Sequence, residues 1–336
     1  MVARALFVIA SLVCSMGVAA PAQAGMTCTS HRLSVSPEEG RAKTWTISAK
    51  LCVPSGKVNG VDVLVHGATY NGSYWDWPFQ PETYSYVRKT VRAGRAALTY
   101  DRPGTGTSSR PAASEVNVAA DAYIAYQLLR WMRRKDFGEV TLVGHSLGSI
   151  IATAAAARYP GVDRLVLTGM LHPGPFGRKV FALLGGLYPA SADPLFAGRG
   201  YGPGYVTTRP GTRAAPFFHA PAADPKVIAQ DEETKDVSSL IEQVDSVAGM
   251  MIPPALNESA RITAPVLIVV GAEDAAVCGP LVVCTDASAL LKHERPYFAS
   301  AASLTAETIP ATGHDLTLHT TAAQSFSLID AWIARH

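Results

Sequence analysis

Short apolar runs alternate with longer stretches of helical spacing along most of this chain. Residues 44–53 alternate enough to form an outer strand, and Ser55-Gly56 with Asn59-Gly60 supplies turn chemistry behind it. Residues 61–65 read as the next strand, which ends in His66-Gly67-Ala68. Residues 81–94 carry helical spacing through Tyr84, Val87 and Val91, and 95–100 return to a strand. Residues 115–134 form the strongest helix, with Val118, Ala122, Ile124, Leu128, Leu129 and Trp131 on one stripe. A buried strand from Val140 leads through a sharp turn into a small-residue helix that runs through Ala152 to Tyr159, and 163–168 form a further strand. Strands alternating with helices at this spacing predict an α/β fold. Its central sheet should be mostly parallel, with helices on both faces, because crossover connections lay their helices there.

The rhythm breaks after Gly169. From Leu171 to about Ala260 the sequence is rich in proline, glycine and aromatic residues, with one expected helix at 231–250. A long irregular insert in a compact fold is usually a functional lid rather than a structureless loop. The expected organisation is therefore a core at 25–170, a lid or cap at 171–260, and the rest of the core at 261–336. Regularity returns at 264–270, a fully apolar strand, followed by a short strand at 304–309 and a closing helix at 321–334. There are no internal repeats and no low-complexity segments.

The first 24 residues stand apart from this pattern. Arg4 is followed by an apolar stretch from Ala5 to Ala20 and by Ala22-Gln23-Ala24, an A-x-A cleavage site, so 1–24 read as a signal peptide and the mature protein as secreted, extracellular or periplasmic. No later run approaches the length of a membrane span, so no stable membrane anchor is expected. The net charge of +2 is too small to suggest nucleic acid or an anionic membrane surface as partner. Of five cysteines, Cys14 leaves with the leader. The remaining four, Cys28, Cys52, Cys278 and Cys284, form an even set in an exported chain and suggest two disulfides. Three pairings can be drawn. The favoured one is Cys28–Cys52, tying the N-terminal arm to an early strand, with Cys278–Cys284 closing a short loop. The spacings do not fit zinc, and no metal site is expected.

The chemistry centres on Gly144-His145-Ser146-Leu147-Gly148, a G-x-S-x-G turn between strand and helix. A serine on such a corner needs neighbours without Cβ atoms, and the corner sets its hydroxyl at a helix N-terminus, where unpaired N–H groups favour developing negative charge. A serine hydroxyl is a poor nucleophile until a base, itself oriented by a carboxylate, lies within reach. The strand at 265–270 runs into Gly271-Ala272-Glu273-Asp274, and the last strand into Gly313-His314-Asp315. Both therefore offer side chains just past the C-terminal ends of strands, where open α/β sheets bind ligands.

Together these elements resemble the α/β-hydrolase family, over nearly the whole chain past the leader. G-x-S-x-G resembles its nucleophile elbow, and the order serine, acid, histidine is that of the family. The resemblance implies Ser146 as nucleophile, His314 as general base and Asp274 as the orienting acid, with Glu273 as runner-up for that role. His319 is the near competitor of His314, with packing as its alternative. His66-Gly67 resembles the family's oxyanion loop, which would make the backbone N–H groups of Ala68 and Leu147 the oxyanion hole, with His66 a structural hydrogen-bonding residue. Asp101-x-x-Gly104-x-Gly106 resembles a structural turn of the family; a phosphate cradle is its alternative. Tyr70, Tyr74 and Trp75, with Trp77 and Phe79, follow the oxyanion loop as either a substrate wall or loop packing. The function implied is a serine hydrolase acting on small-molecule carboxylic esters through an acyl-enzyme, with no cofactor. Lactonase, peptidase and haloperoxidase-like activities, or a noncatalytic binding module on the same scaffold, are the alternatives.

Overall fold

The computed structural model describes residues 25–172, 185–279 and 282–336. The expected leader at 1–24 lies outside the described residues. An eight-stranded sheet forms the centre, built from β1 (Met26–Val35), β2 (Trp45–Pro54), β3 (Val61–Val65), β4 (Ala96–Tyr100), β5 (Val140–His145), β6 (Arg164–Thr168), β10 (Val266–Gly271) and β11 (Leu304–Ile309). Its spatial order is β1-β2-β4-β3-β5-β6-β10-β11. The first two strands pair antiparallel with their neighbours, and the remaining pairs are parallel.

Side-chain alternation divides the core between the two faces of the sheet. Val63, Val65, Leu98 and Leu142 pack with Ile124 and Leu128 of α3 (Val118–Arg133) and Ile151 of α4 (Leu147–Arg158). Leu64, Ala97, Val143 and Leu267 point the other way, toward Val87 and Val91 of α2 (Tyr86–Arg92) and Phe326 and Ile329 of α9 (Ala322–Ile333). A further short helix, α1 (Pro81–Tyr84), precedes α2. Where the spacing at 81–94 predicts one helix, Ser85 breaks it, with extended backbone and a side chain that caps Arg88 N–H.

The edge strand β1 has no counterpart in the sequence-based expectations. Its outward positions, among them Thr27, Ser30 and Arg32, are polar and hide its period, yet it pairs with β2 over its full ten residues. That register sets Cys28 opposite Cys52, and the two are disulfide-bonded. The second cystine joins Cys278 to Cys284 in the loop after β10.

Between β6 and β10 the chain leaves the sheet. This excursion contains a small sheet, β7 (Leu187–Pro189), β8 (Tyr205–Thr208) and β9 (Ser238–Ser239), and the helices α5 (Ala214–Phe217), α6 (Pro225–Thr234) and α7 (Leu240–Met250). The single helix expected at 231–250 is thus two. Ser239 and Glu242 form a reciprocal capping box that starts α7 afresh, while the Asp236 N–H is drawn to the Thr69 carbonyl at 2.8 Å. A helix absent from the expectations, α8 (Ala287–Glu294), starts at Asp286, whose side chain accepts from Ser288 and Ala289 N–H. Among the described residues no helix is long and apolar enough to cross a membrane.

Candidate active site

β5 ends at His145 and α4 begins at Leu147, which leaves Ser146 alone on the corner with φ 53° and ψ −121°. A positive φ strains a residue that carries a Cβ, and the surroundings must hold it there. Ser146 N–H donates to Thr168 O at 2.8 Å. A Cβ on Gly144 would lie 2.5 Å from Gly148 O, and one on Gly148 would collide with the carbonyl oxygens of Val65 and His66. Strand β3 therefore packs directly on the first turn of α4, as the two glycines of the motif require.

The loops after the last two strands bring a carboxylate and an imidazole together. His314 Nδ1 lies 2.9 Å from Asp274 Oδ2, and both side chains are buried. The other Asp274 oxygen accepts from Ala276 N–H at 2.8 Å and Val277 N–H at 3.1 Å. Burial disfavours the charged imidazole, but the Asp274 carboxylate, with Asp315 beside it, offsets it and holds the His314 pKa above its ordinary value. Burial likewise works against the Asp274 carboxylate, yet His314 and the two N–H groups keep its pKa below the usual range. Glu273, the runner-up acid, is exposed.

His314 Nε2 is buried and has no hydrogen-bond partner among the described residues. His314 and Ser146 line one cavity of about 50 Å³, together with Ala68, Leu147, Ile150, Met170 and Met250. The N–H groups of Ala68 and Leu147 have no backbone acceptor among the described residues. Ser146, His314, Ala68 and Leu147 thus border one small space, although no hydrogen bond joins Ser146 Oγ to His314 Nε2.

The remaining candidates take different places. His66 Nε2 accepts from Arg102 N–H at 3.1 Å, so its proton is on Nδ1, 2.9 Å from Gly67 O. Burial, then the Arg102 charge, hold its pKa well below the ordinary value, so it is a neutral fixture of the loop. Asp101 accepts from Gly72 N–H and Thr107 N–H, each at 3.0 Å, which makes its turn structural. His319 Nε2 accepts from Gly313 N–H at 3.0 Å and His219 N–H at 2.9 Å, a packing role.

The aromatic group after the oxyanion loop divides. Tyr70 borders a space of about 10 Å³ beside Ser146, and its hydroxyl donates to Asp315 Oδ2 at 2.5 Å. Tyr74 and Trp75 are fully buried and line neither space, so of their two expected roles the geometry gives them loop packing rather than substrate wall. The turn at Gly72–Tyr74 folds them under the elbow. Tyr74 stacks on His145 at 4.5 Å, and Trp75 packs edge-on to Tyr86 at 5.3 Å. Sequence reasoning also missed the residues of α7 that line the cavity, Gln243, Ser246, Val247 and Met250. Their spacing along α7 was the available signal, but with the helix start displaced no face could be assigned.

Residues 63–324 match a family model described as Alpha/beta hydrolase family. The chain belongs to that family. Among curated hydrolase-family relatives it is 32% identical over 137 residues to a carbendazim hydrolyzing esterase of Nocardioides sp., covering 40% of this chain and 52% of that protein. It is 29% identical over 126 residues to the human (lyso)-N-acylphosphatidylethanolamine lipase, covering 37% of this chain and 33% of the relative. The chain thus spans about a third to a half of the length of these relatives. A highly thermostable carboxyl esterase from Bacillus coagulans superposes with a TM-score of 0.62 at 15% identity, over 92% of this chain and 99% of that one. At that identity the likeness is one of fold.

Proposed function

We propose that this protein is an exported serine hydrolase that cleaves carboxylic esters of short acyl chain. The observation that carries the reading is the 50 Å³ cavity bordered by Ser146, His314, Ala68 and Leu147, in which His314 Nε2 has no hydrogen-bond partner and the Ala68 and Leu147 N–H groups no backbone acceptor among the described residues. Ser146 Oγ attacks the ester carbonyl carbon while His314 Nε2 takes its proton and Asp274 holds the imidazole in the Nδ1–H tautomer. The carbonyl oxygen becomes an oxyanion and accepts from Ala68 and Leu147; donors fixed at the site of developing charge contribute about 10²–10³ in rate each. The imidazolium returns its proton to the alcohol oxygen as the tetrahedral intermediate collapses to the acyl-enzyme. Water, deprotonated by His314, then releases the acid. Export is supported by the A-x-A leader and by the two cystines, a bond type of oxidising compartments.

The short acyl chain follows from volume. A water molecule needs about 10–15 Å³ of such space, so the cavity at Ser146 holds a few heavy atoms. Along Ile150, Met170 and Met250 it adjoins a cavity of about 540 Å³, bordered also by His172, Asp245, Arg158 and Arg261, which suits a larger and more polar alcohol. In a p-nitrophenyl ester series the highest kcat/KM is expected between acetate and butyrate. It should fall about 10- to 100-fold by octanoate, since forcing a packed wall apart costs about 1–3 kcal/mol and each ~1.4 kcal/mol is a factor of ten. Folded protein that turns over none of the series would overturn the esterase reading, and an optimum at octanoate or longer would overturn the short chain alone.

A further inference from the structure

We propose that Arg213, in the excursion between β6 and β10, is a positioning residue for the oxyanion loop, acting through Thr69 to hold the Ala68 N–H toward the reacting carbonyl. The proposal rests on the hydrolase reading above. Arg213 is fully buried, and its Nε and Nη2 grip Asp231 in a fork at 2.7 and 3.0 Å. A buried guanidinium persists only when paired and hydrogen-bonded, and Asp231, itself buried, meets that need. The fork leaves Nη1 to donate to Thr69 Oγ1 at 2.8 Å and Thr208 Oγ1 at 3.2 Å. The guanidinium carbon also lies 4.5 Å from the centre of the Tyr70 ring and 4.8 Å from that of Phe217.

Thr69 directly follows the proposed donor Ala68, and its backbone is left-handed, with φ 59°. For a β-branched residue that conformation is an outlier, which persists only when its surroundings over-determine it. The excursion supplies the restraint twice. Arg213 holds the Thr69 side chain, and Asp236 N–H donates to Thr69 O at 2.8 Å. Asp236 Oδ2 also accepts from Asn71 Nδ2 at 3.0 Å, beyond the same turn. The far side of the loop is tied to the base. Tyr70 donates to Asp315, next to His314, and Asp315 N–H donates to Phe217 O at 3.1 Å. One short segment, 213–217, therefore touches both the loop that carries Ala68 and the loop that carries His314. Nη1 thus ties β8 of the excursion, through Thr208, directly to the residue after Ala68.

The test uses Thr69→Val, Thr69→Ser and Arg213→Lys in the mature protein, with p-nitrophenyl acetate turnover, affinity for a small alkyl boronic acid, and melting temperature. Valine keeps the shape and the β-branch of threonine but cannot accept from Arg213. Its kcat is expected to fall about 10- to 100-fold with KM within about threefold, because a donor misplaced by a fraction of its bond length loses much of its contribution. Boronate affinity should fall by a similar factor, since the boronate occupies the place of the oxyanion. Thr69→Ser should recover most of the rate, and Arg213→Lys should lose it as valine does, because an ammonium cannot keep the two-pronged grip and a third donor together. Folded Thr69→Val with kcat and boronate affinity within twofold of wild type would overturn the proposal, even with a lowered melting temperature; should Arg213→Lys fail to fold, the valine variant decides alone. Wild-type protein without ester turnover would overturn the hydrolase reading and this proposal with it, whereas active wild type beside unaffected valine overturns only the positioning role.

Discussion

Replacing Ser146 by alanine is expected to lower kcat by about 10⁵- to 10⁶-fold and to abolish labelling by a fluorophosphonate probe. The loss is large because the neighbouring hydroxyls among the described residues are committed elsewhere: Ser246, which lines the same cavity, donates to Gln243 O at 2.8 Å. Ser149 Oγ donates to Thr168 O at 2.9 Å and is spent in the core. The remaining activity would be that of an empty oxyanion hole acting on bound ester, about 10³–10⁴ over water. The fold should be unaffected. The Ser146 side chain does not cap the helix it begins, and alanine would occupy the same left-handed φ at similar cost. Labelling that survives in Ser146→Ala would place the nucleophile elsewhere. Absence of labelling in folded wild type would leave the binding-module alternative in front.

Much of this site is legible along the chain because its parts are local. The elbow is a five-residue motif whose glycines answer to clashes within a few residues and against one neighbouring strand. The proposed acid and base each sit one short turn beyond a strand, fully apolar for β10 and mixed for β11, so locating the strand finds the residue. Asp274 over Glu273 is less local: what separates them is that Asp274 turns inward to His314 and to two N–H groups, while Glu273 faces solvent. What the sequence hides is long-range. Tyr74 and Trp75 follow the oxyanion loop directly, and only the turn that buries them against His145 removes them from the cavity wall. The excursion is opaque for the same reason. The Ser239–Glu242 capping box is a local signal, but α6 ends just before Asp236, whose N–H pairs with Thr69 O on a distant loop, and local propensity carries no record of that partner.

The second large effect concerns the acid and is read in two quantities. Asp274→Asn is expected to reduce kcat by about 10³- to 10⁴-fold and to move the acid limb of the kcat/KM profile to lower pH. The rate falls because the amide can present its NH₂ to Nδ1 and favour the tautomer with the proton on Nε2, which then cannot accept from Ser146. The sign of the pH effect follows from the base. His314 must be neutral to take the proton, so activity rises as pH rises through its pKa. In the wild type burial lowers that pKa, but Asp274 and, to a lesser extent, Asp315 together raise it further, so the limb should centre above 6.5. With the carboxylate gone, burial still lowers the pKa and only the neighbouring Asp315 raises it, so the limb should move to lower pH. A merely structural role for Asp274 would lower the amount of folded enzyme and leave the limb where it was. An unmoved limb, with kcat within about tenfold of wild type, would therefore remove Asp274 from the triad. Glu273→Gln serves as the comparison, and its limb is expected to coincide with that of the wild type.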